Sequence, residues 1–302
     1  VTLGKTGITV NKNGFGALPI QRITKEEAAK LLRKAYDGGI TYFDTARAYS
    51  DSEEKIGYAL SDVRNHIYLA TKTAAKTADE FWKDLETSLR LLKTDCIDVY
   101  QFHNPAVCPK PGDGSGLYEA MLEAKEQGKI RFIGITNHRM SIAEEAIESG
   151  LYDTLQFPFN YLSTEREIAL AKACAEHEMG FIAMKGLSGG LLTNSAAIYA
   201  YMAQFENVLP IWGVQKESEL DEFLSYIGNP PELTDELKAV IEKDQKELAG
   251  AHIQVIDKDG NVVDEWDSKK GETHKVKNLT VGQEYTLRET VAPNGYTLTT
   301  DT

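Results

Sequence analysis

Four side chains within the first 103 residues of this chain could together donate a proton and stabilise an oxyanion; they are Asp44, Tyr49, Lys72 and His103. A free phenol titrates near pH 10, about three units too high to release its proton readily at neutral pH. An adjacent ammonium stabilises the phenolate, and a carboxylate beside that ammonium keeps it charged and oriented. Lys72 would therefore assist Tyr49, and Asp44 would hold Lys72. The imidazole of His103 could donate a hydrogen bond to a carbonyl oxygen and stabilise the alkoxide that forms when hydride reaches the carbon.

Each of these residues stands where a strand-like run gives way to a loop. Asp44, Lys72 and His103 end the second, third and fourth such runs, and Tyr49 lies in the loop after the second. The carboxyl ends of the parallel strands of a barrel lie on one face, so we expect the four side chains to converge. A buried Lys–Asp pair at a barrel end can also be purely structural, and spacing alone leaves both interpretations open.

Between residues 14 and 228, short β-branched or aromatic runs alternate with stretches that have apolar residues at helical spacing. The runs predict strands at 14–18, 42–43, 67–71, 97–102, 132–135, 154–157, 180–184 and 208–212. About eight strand–helix units favour the α/β class and a closed (β/α)8 TIM barrel over an open sheet. Gly14-x-Gly16 lacks the third glycine of a dinucleotide fingerprint, so we interpret it as part of a tight strand.

Capping boxes mark the start of several predicted helices. In such a box a Ser or Thr side chain and a Glu three residues later satisfy each other's backbone N–H groups. Three pairs have this spacing: Thr24 with Glu27, Ser141 with Glu144, and Thr164 with Glu167. Another amphipathic helix is predicted after Leu233, extending to about Leu248.

The composition excludes several kinds of protein. A formal net charge of −13 disfavours nucleic acid and anionic membrane surfaces as partners, although a local basic pocket could still hold one phosphorylated cofactor. No apolar stretch approaches the roughly 20 residues that cross a bilayer, and the segment after Val1 has no signal-peptide pattern, so we expect a cytoplasmic protein. Cys96, Cys108 and Cys174 have no C-x-x-C spacing, so we expect packing thiols and no metal site.

Five ordered segments in residues 1–250 resemble the signature segments of the aldo/keto reductases. They are Phe43-Asp44-Thr45-Ala46-Arg47-Ala48-Tyr49, Thr71-Lys72-Thr73, Gln101-Phe102-His103-Asn104, Gly134-Ile135-Thr136-Asn137-His138 and Gln156-Phe157-Pro158-Phe159-Asn160. The resemblance implies an (α/β)8 barrel that binds a nicotinamide dinucleotide, NADPH or NADH, in extended form and reduces aldehydes or ketones. It makes Asp44, Tyr49, Lys72 and His103 the catalytic tetrad, with Tyr49 as general acid.

The same resemblance assigns residues to the cofactor. Those expected there are Thr136, Asn137, Gln156, Met184, Lys185, Leu187, Lys216 and Glu219. Thr136, Asn137 and Gln156 are similar to the residues that grip the nicotinamide carboxamide. Met184 stands where many members have a tyrosine that stacks on the nicotinamide ring, and a thioether can still pack there, more loosely.

Residues 213–219 resemble the loop that in members preferring NADPH offers Lys, Ser and Arg to the adenosine 2′-phosphate. Glu219 falls where that arginine is usual. A carboxylate repels a phosphate dianion but accepts hydrogen bonds from ribose hydroxyls, so we expect NADH to be favoured over NADPH. Lys216 could reverse this preference.

Within the family, residues 211–215 and the helix after Leu233 look most like the branch that carries a C-terminal ferredoxin-type segment. In that branch several cysteines follow near the position of Gly250. This chain has none there, so we expect no iron–sulfur cluster.

From Ala251 to Thr302 the helical period gives way to alternating strands, which predicts two domains, 1–250 and 251–302. The turn signals are Asp259-Gly260, Val281-Gly282 and Pro293-Asn294-Gly295. This small C-terminal β-rich segment resembles the collagen-adhesin B-type domains of Gram-positive surface proteins and pilins. In those domains a glutamate, matched here by Glu289, catalyses an isopeptide bond between a Lys and an Asn or Asp. The first strand, which should supply the lysine, is replaced by helix, and the last strand is missing, so we expect an incomplete and inert copy.

These features favour an enzyme that reduces a small-molecule carbonyl substrate with a nicotinamide cofactor. An alternative is a non-catalytic nicotinamide-binding sensor or scaffold barrel. A third interpretation is a surface adhesin in which the C-terminal segment is the functional part. The missing secretion signal argues against it. The residues indicate no particular oligomeric state.

Overall fold

The computed structural model describes residues 1–245, 250–269, 272, 274–277, 279–280 and 282–292. The chain divides into two compact units, Val1–Ile241 and Glu242–Thr302, and each is described by itself. The domain boundary at 250/251 stays a prediction. No helix in the described part of the chain is long and apolar enough to cross a membrane.

The first unit is built on a closed barrel of parallel strands, numbered β1 to β8 in chain order. They are β1 Gly14–Gly16, β2 Tyr42–Asp44, β3 Tyr68–Thr73, β4 Ile97–His103, β5 Ile130–Thr136, β6 Thr154–Pro158, β7 Gly180–Met184 and β8 Val208–Trp212. Each strand pairs with the next one along the chain, and β1 pairs with β8, which closes the barrel. The predicted (β/α)8 TIM barrel is therefore confirmed.

A helix follows each barrel strand, and a further helix follows the last of these. The helices are α1 Lys25–Asp37, α2 Ser52–Leu60, α3 Ala78–Leu92, α4 Leu117–Glu126, α5 Met140–Ser149, α6 Glu165–Glu176, α7 Ser195–Ala203, α8 Glu217–Ser225 and α9 Asp235–Asp244. In α1, Leu31 and Leu32 are buried on the face that the periodicity predicts. The helix α9 ends at Asp244 and Gln245 is a turn residue, whereas the rest of the predicted extension, to Leu248, lies outside the described residues.

The capping boxes are confirmed at two of the three predicted positions. Thr24 before α1 and Thr164 before α6 each accept from a backbone N–H, and the paired glutamates return the bond. Ser141 is wrong as a cap, because it lies inside α5. The residue at the cap position is Arg139, which makes no side-chain capping bond; just before the helix, Asn137 Oδ1 accepts from the backbone N–H groups of His138 and Arg139, 2.9 Å each.

The barrel interior is apolar at its amino end and polar at its carboxyl end. At the amino end Leu3 and Ile8 of the N-terminal segment pack against Tyr42, Val99 and Leu209 from the strands. Nearer the carboxyl end the buried inward side chains are Asp44, Lys72, Gln101, Thr136 and Gln156. Burial of polar groups requires hydrogen-bond partners, so this end of the barrel is where a polar site can be built.

Because Gly134 has no side chain, it leaves space for these buried polar side chains. In the ladder Lys72 pairs with Gln101, Gln101 with Gly134, and Gly134 with Thr154. A Cβ at Gly134 would lie 2.5 Å from Thr154 Oγ1 and 2.8 Å from Gln101 Cγ. A side chain at this position would therefore displace Gln101 from the interior.

The second unit contains a three-stranded antiparallel sheet with the order β10-β9-β11 among its described residues. The strands are β9 His252–Asp257, β10 Val262–Asp267 and β11 Tyr285–Val291. The turn predicted at Asp259-Gly260 joins β9 to β10, and Gly260 has a φ of 87°, which favours glycine. The turn predicted at Pro293-Asn294-Gly295 and Val281 of the second turn lie outside the described residues.

Candidate active site

A buried ion pair lies at the carboxyl end of the barrel. Asp44 at the end of β2 and Lys72 near the end of β3 are both almost fully buried. Lys72 Nζ lies 2.5 Å from Asp44 Oδ2 and also donates to the carbonyl oxygen of Thr45 at 2.6 Å. Burial raises the pKa of the Asp44 carboxyl, while Lys72 and the amides of Gln156 and Gln101 oppose that rise.

Gln101 also contacts this ion pair, a role that was not predicted from the sequence. Its Nε2 donates to Asp44 Oδ1 at 3.2 Å, and Gln156 Nε2 reaches Asp44 Oδ2 at 3.4 Å. The only signal in the sequence was its place two residues before His103, which puts both side chains on the same face of β4. That signal does not show that the amide meets a carboxylate two strands away.

Tyr49 comes to the same place from the loop after β2. The Nζ atom of Lys72 lies 5.3 Å from the centroid of the Tyr49 ring. The ring of His103 stands edge-on to the Tyr49 ring with 5.8 Å between centroids. Both rings are half-buried, so they sit at the mouth of the barrel with one side open to a ligand. The structure thus brings together all four residues of the expected tetrad.

His103 is held in its neutral form. Burial, helped by the positive charge of Lys72 and by His138, lowers the pKa of His103 to about 4. At neutral pH the ring therefore keeps one N–H donor and one acceptor nitrogen. A neutral imidazole can hydrogen-bond a carbonyl oxygen without adding a second cation beside Lys72.

The expected carboxamide site contains an unpartnered polar atom. Gln156 Oε1 is buried and accepts no hydrogen bond from the described residues. An amide N–H₂ group of a ligand would satisfy it, which fits a nicotinamide carboxamide. Thr136 lies beside it in the ladder, and its hydroxyl contacts Met184 Sδ at 3.8 Å, so the three residues line one wall.

Asn137 has both polar ends of its side chain already engaged. Its Nδ2 donates to the carbonyl oxygen of Pro105 at 2.9 Å, and its Oδ1 accepts from the backbone N–H groups of His138 and Arg139, which precede α5. It thereby ties the segment after β5 to the segment that follows His103. Its expected contact with the cofactor stays a prediction.

The other expected cofactor residues lie on the segments after β7 and β8. Lys185 is exposed with a φ of 58°, and its carbonyl oxygen accepts from Asn160 Nδ2 at 3.0 Å. Leu187 is half-buried against the core. At the start of α8, Glu219 Oε2 accepts from the backbone N–H of Lys216 at 3.2 Å, and the Lys216 ammonium is 3.8 Å from the other carboxylate oxygen.

The strand-to-helix segments at this end of the barrel are basic. They cover residues 17–24, 45–51, 74–77, 104–116, 137–139, 159–164, 185–194 and 213–216. Together they carry seven Lys or Arg and two Asp, in a chain with a net charge of −13. Three of the seven, Arg47, Lys110 and Lys216, are paired with Glu53, Glu145 and Glu219; the other four favour an anionic ligand at the mouth of the barrel. No group of three or more potential metal ligands occurs among the described residues.

The family model for the aldo/keto reductase family matches residues 12–207. The chain belongs to the aldo/keto reductase family. A model for a prealbumin-like fold domain, SpaA, matches residues 236–302, which agrees with the pilin-type resemblance of the C-terminal segment.

Two curated relatives come from Bacillus subtilis (strain 168). Aldo-keto reductase YhdN is 30% identical over 211 residues, covering 64% of this chain and 63% of that protein. The uncharacterized oxidoreductase YqkF is 29% identical over 205 residues, covering 63% of this chain and 65% of that protein. The chain thus spans slightly less than two thirds of the length of these relatives.

A solved aldo/keto reductase has the same fold. The crystal structure of the enzyme from Klebsiella pneumoniae in complex with NADPH superposes with a TM-score of 0.68 at 22% identity. The match covers 80% of this chain and 93% of that one.

Proposed function

We propose that the chain is a nicotinamide-dependent reductase of aldehydes or ketones, with Tyr49 as the general acid. The observation that carries the proposal is the position of the Tyr49 ring, whose centroid lies 5.3 Å from Lys72 Nζ and 5.8 Å from the centroid of the His103 ring. A phenol in that position can release a proton because the ammonium stabilises the phenolate left behind.

Each residue of the tetrad has a distinct part in the reaction. When bound, a nicotinamide dinucleotide would supply hydride for the carbonyl carbon. Tyr49 gives its hydroxyl proton to the carbonyl oxygen, so that the product is an alcohol. Lys72 stabilises the resulting phenolate, and Asp44 pairs with Lys72 and holds it in its buried position. The neutral ring of His103 donates a hydrogen bond to the carbonyl oxygen and stabilises negative charge developing there.

Three features support a nicotinamide dinucleotide as the cofactor. Gln156 Oε1 lacks a partner among the described residues and suits a carboxamide N–H₂. Met184 offers an apolar thioether that can pack against a ring. The basic strand-to-helix segments suit a ligand that carries a pyrophosphate.

We infer that NADH is preferred over NADPH because of Glu219. Hydrogen bonds from the backbone N–H groups of Gln215 and Lys216 hold its carboxylate at the start of α8. The resemblance puts the adenosine end of the cofactor near this loop, where a carboxylate would repel a 2′-phosphate. Titration of the protein with each cofactor tests this inference. Binding of NADPH at least about tenfold tighter than NADH would overturn it.

The reaction is assigned to residues 1–250, and residues 251–302 have no part in it. A cytoplasmic location belongs to the same proposal, because the three cysteines are free thiols, as in a reducing compartment. The partner of the reaction is a small carbonyl compound.

Turnover of a reactive aldehyde tests the activity directly. The chain is mixed with 4-nitrobenzaldehyde and either NADH or NADPH, and loss of the reduced cofactor is followed by its absorbance. The proposal expects turnover that depends on both enzyme and aldehyde. Tight cofactor binding with no turnover of aldehydes or ketones would contradict it and would favour a sensor or scaffold.

A further inference from the structure

The first turn of α2 is a buried polar cluster next to the tetrad. Ser52, Glu53 and Lys55 are 0%, 1% and 3% exposed, although a helix start is usually solvated. Ser52 Oγ donates to the carbonyl oxygen of Ala17, and Lys55 Nζ donates to that of Ile20, both at 3.0 Å. These two side chains fix α2 to the segment after β1. Glu53 makes a separate set of contacts.

Glu53 joins α2 to β3, to α3 and to the loop after β2. Its Oε1 accepts hydrogen bonds from Thr71 Oγ1 on β3 and Ser88 Oγ on α3, both at 2.7 Å. Its Oε2 forms an ion pair with Arg47. Thr71 is the neighbour of Lys72 in the strand, so Glu53 attaches α2 to the strand that carries the ammonium. A buried carboxylate persists only with such compensation, so these contacts hold it firmly in place.

Arg47 stabilises the loop that carries Tyr49. Its backbone N–H donates to the Lys72 carbonyl oxygen at 3.0 Å, and its guanidinium donates to the Ser50 carbonyl oxygen at 3.3 Å. Ser50 has a φ of 37°, which is strained for a residue with a side chain. The guanidinium thus bridges the turn that presents Tyr49, and its own charge is balanced by Glu53.

We propose that Glu53 is a positioning residue, which sets the distance between Tyr49 and Lys72 through Arg47 and Thr71. The proposal rests on the reductase function proposed above, because it concerns the alignment of the same proton donor. Glu53 contacts neither Tyr49 nor Lys72, so it acts only through these two partners. Ser52 and Lys55 keep α2 attached in its absence, so loss of the Glu53 charge loosens the loop at 45–51 without detaching the helix.

The substitution Glu53→Gln tests this role because it keeps an acceptor for Thr71 and Ser88 and removes only the charge that faces Arg47. We expect kcat to fall by about tenfold or more, since small displacements of a reacting group cost rate steeply. The Kd for the reduced cofactor should stay within about twofold, because the expected cofactor residues lie on other strands. Hydrogen exchange of the amides in 45–51, measured by mass spectrometry, should become faster.

Arg47→Gln is the second variant, and it removes the partner charge from a side chain that is only partly buried. It should lower kcat and speed exchange in the same loop. In the double variant, kcat should fall by less than the product of the two single fold-decreases in kcat, because either change alone leaves a charge without its partner. The control is Asp62→Asn, which removes the carboxylate from an exposed pair with Arg33 at 2.7 Å. Its kcat and loop exchange should match the unmodified chain.

The outcomes separate this proposal from the proposed function. An unmodified chain that reduces no carbonyl compound would count against the reductase, while the exchange data would still decide whether Glu53 holds the loop. An unchanged kcat in Glu53→Gln, measured per cofactor-binding site, would overturn the positioning role even if the melting temperature fell. Unchanged exchange in 45–51 would overturn it as well.

Discussion

The neutral state of His103 makes the stability of the barrel depend on pH in a defined window. Its pKa is about 4 in the folded protein, against 6.5 in the unfolded chain. Between these values the unfolded chain binds a proton that the folded protein excludes, so stability falls as the pH decreases from about 6.5 towards 4. From pH 7 to pH 5 this one group should reduce the free energy of unfolding by about 2 kcal/mol.

The substitution His103→Gln removes the titrating ring and should remove this loss. Urea unfolding at pH 7, 6 and 5, followed by circular dichroism, gives the free energy of unfolding for each protein. The difference between the unmodified chain and the variant should change by about 2 kcal/mol across the range. His177→Gln is the matched control, because His177 is exposed at the end of α6 and should follow the unmodified chain. Parallel pH profiles for the unmodified chain and His103→Gln would refute the reasoning.

Three further predictions concern the ion pair and the cofactor. Asp44→Asn leaves the buried Lys72 ammonium without its carboxylate, so the free energy of unfolding should fall by about 3–5 kcal/mol in urea titrations. Adding Lys72→Met should recover part of this loss. A loss near zero in Asp44→Asn would show that the ammonium is not buried as described. Gln156→Leu should weaken dinucleotide binding by about tenfold in fluorescence titrations, while Gln204→Leu, on the surface, should leave it unchanged. Equal Kd values for the two variants would argue against a carboxamide contact. Glu219→Gln keeps an acceptor for the start of α8, so it should shift the ratio of NADPH to NADH affinity towards NADPH by about tenfold, and an unchanged ratio would contradict the repulsion argument.

Much of the barrel follows from local patterns in the chain. The strands β7 and β8 begin and end at the predicted residues, because each is a short apolar run with polar or turn residues on both sides. The strand β3 extends two residues beyond its prediction, to Thr73, since its ladder with β4 continues there. No local pattern contains that information, because pairing depends on a strand that lies later in the chain.

The candidate site could be predicted only in part from the sequence. The approach of Asp44 to Lys72 follows from strand ends that meet on one face of a barrel. The burial of Glu53 does not, because Glu53 and Glu54 are adjacent acids in the first turn of a helix, where the helix dipole favours exposed carboxylates. Only the packing of α2 against β3 and α3 distinguishes them: Glu53 is 1% exposed, whereas Glu54 forms a surface pair with Lys25.

The central claim, that the Tyr49 hydroxyl is the proton donor, is tested most directly by Tyr49→Phe, which removes the hydroxyl and keeps the ring. The measurement is kcat for a reactive aldehyde, together with the Kd for the reduced cofactor in the same preparation. We predict that kcat falls by about a hundredfold or more while the Kd stays within about twofold. A kcat close to that of the unmodified chain would contradict the assignment of the acid and the account built on it.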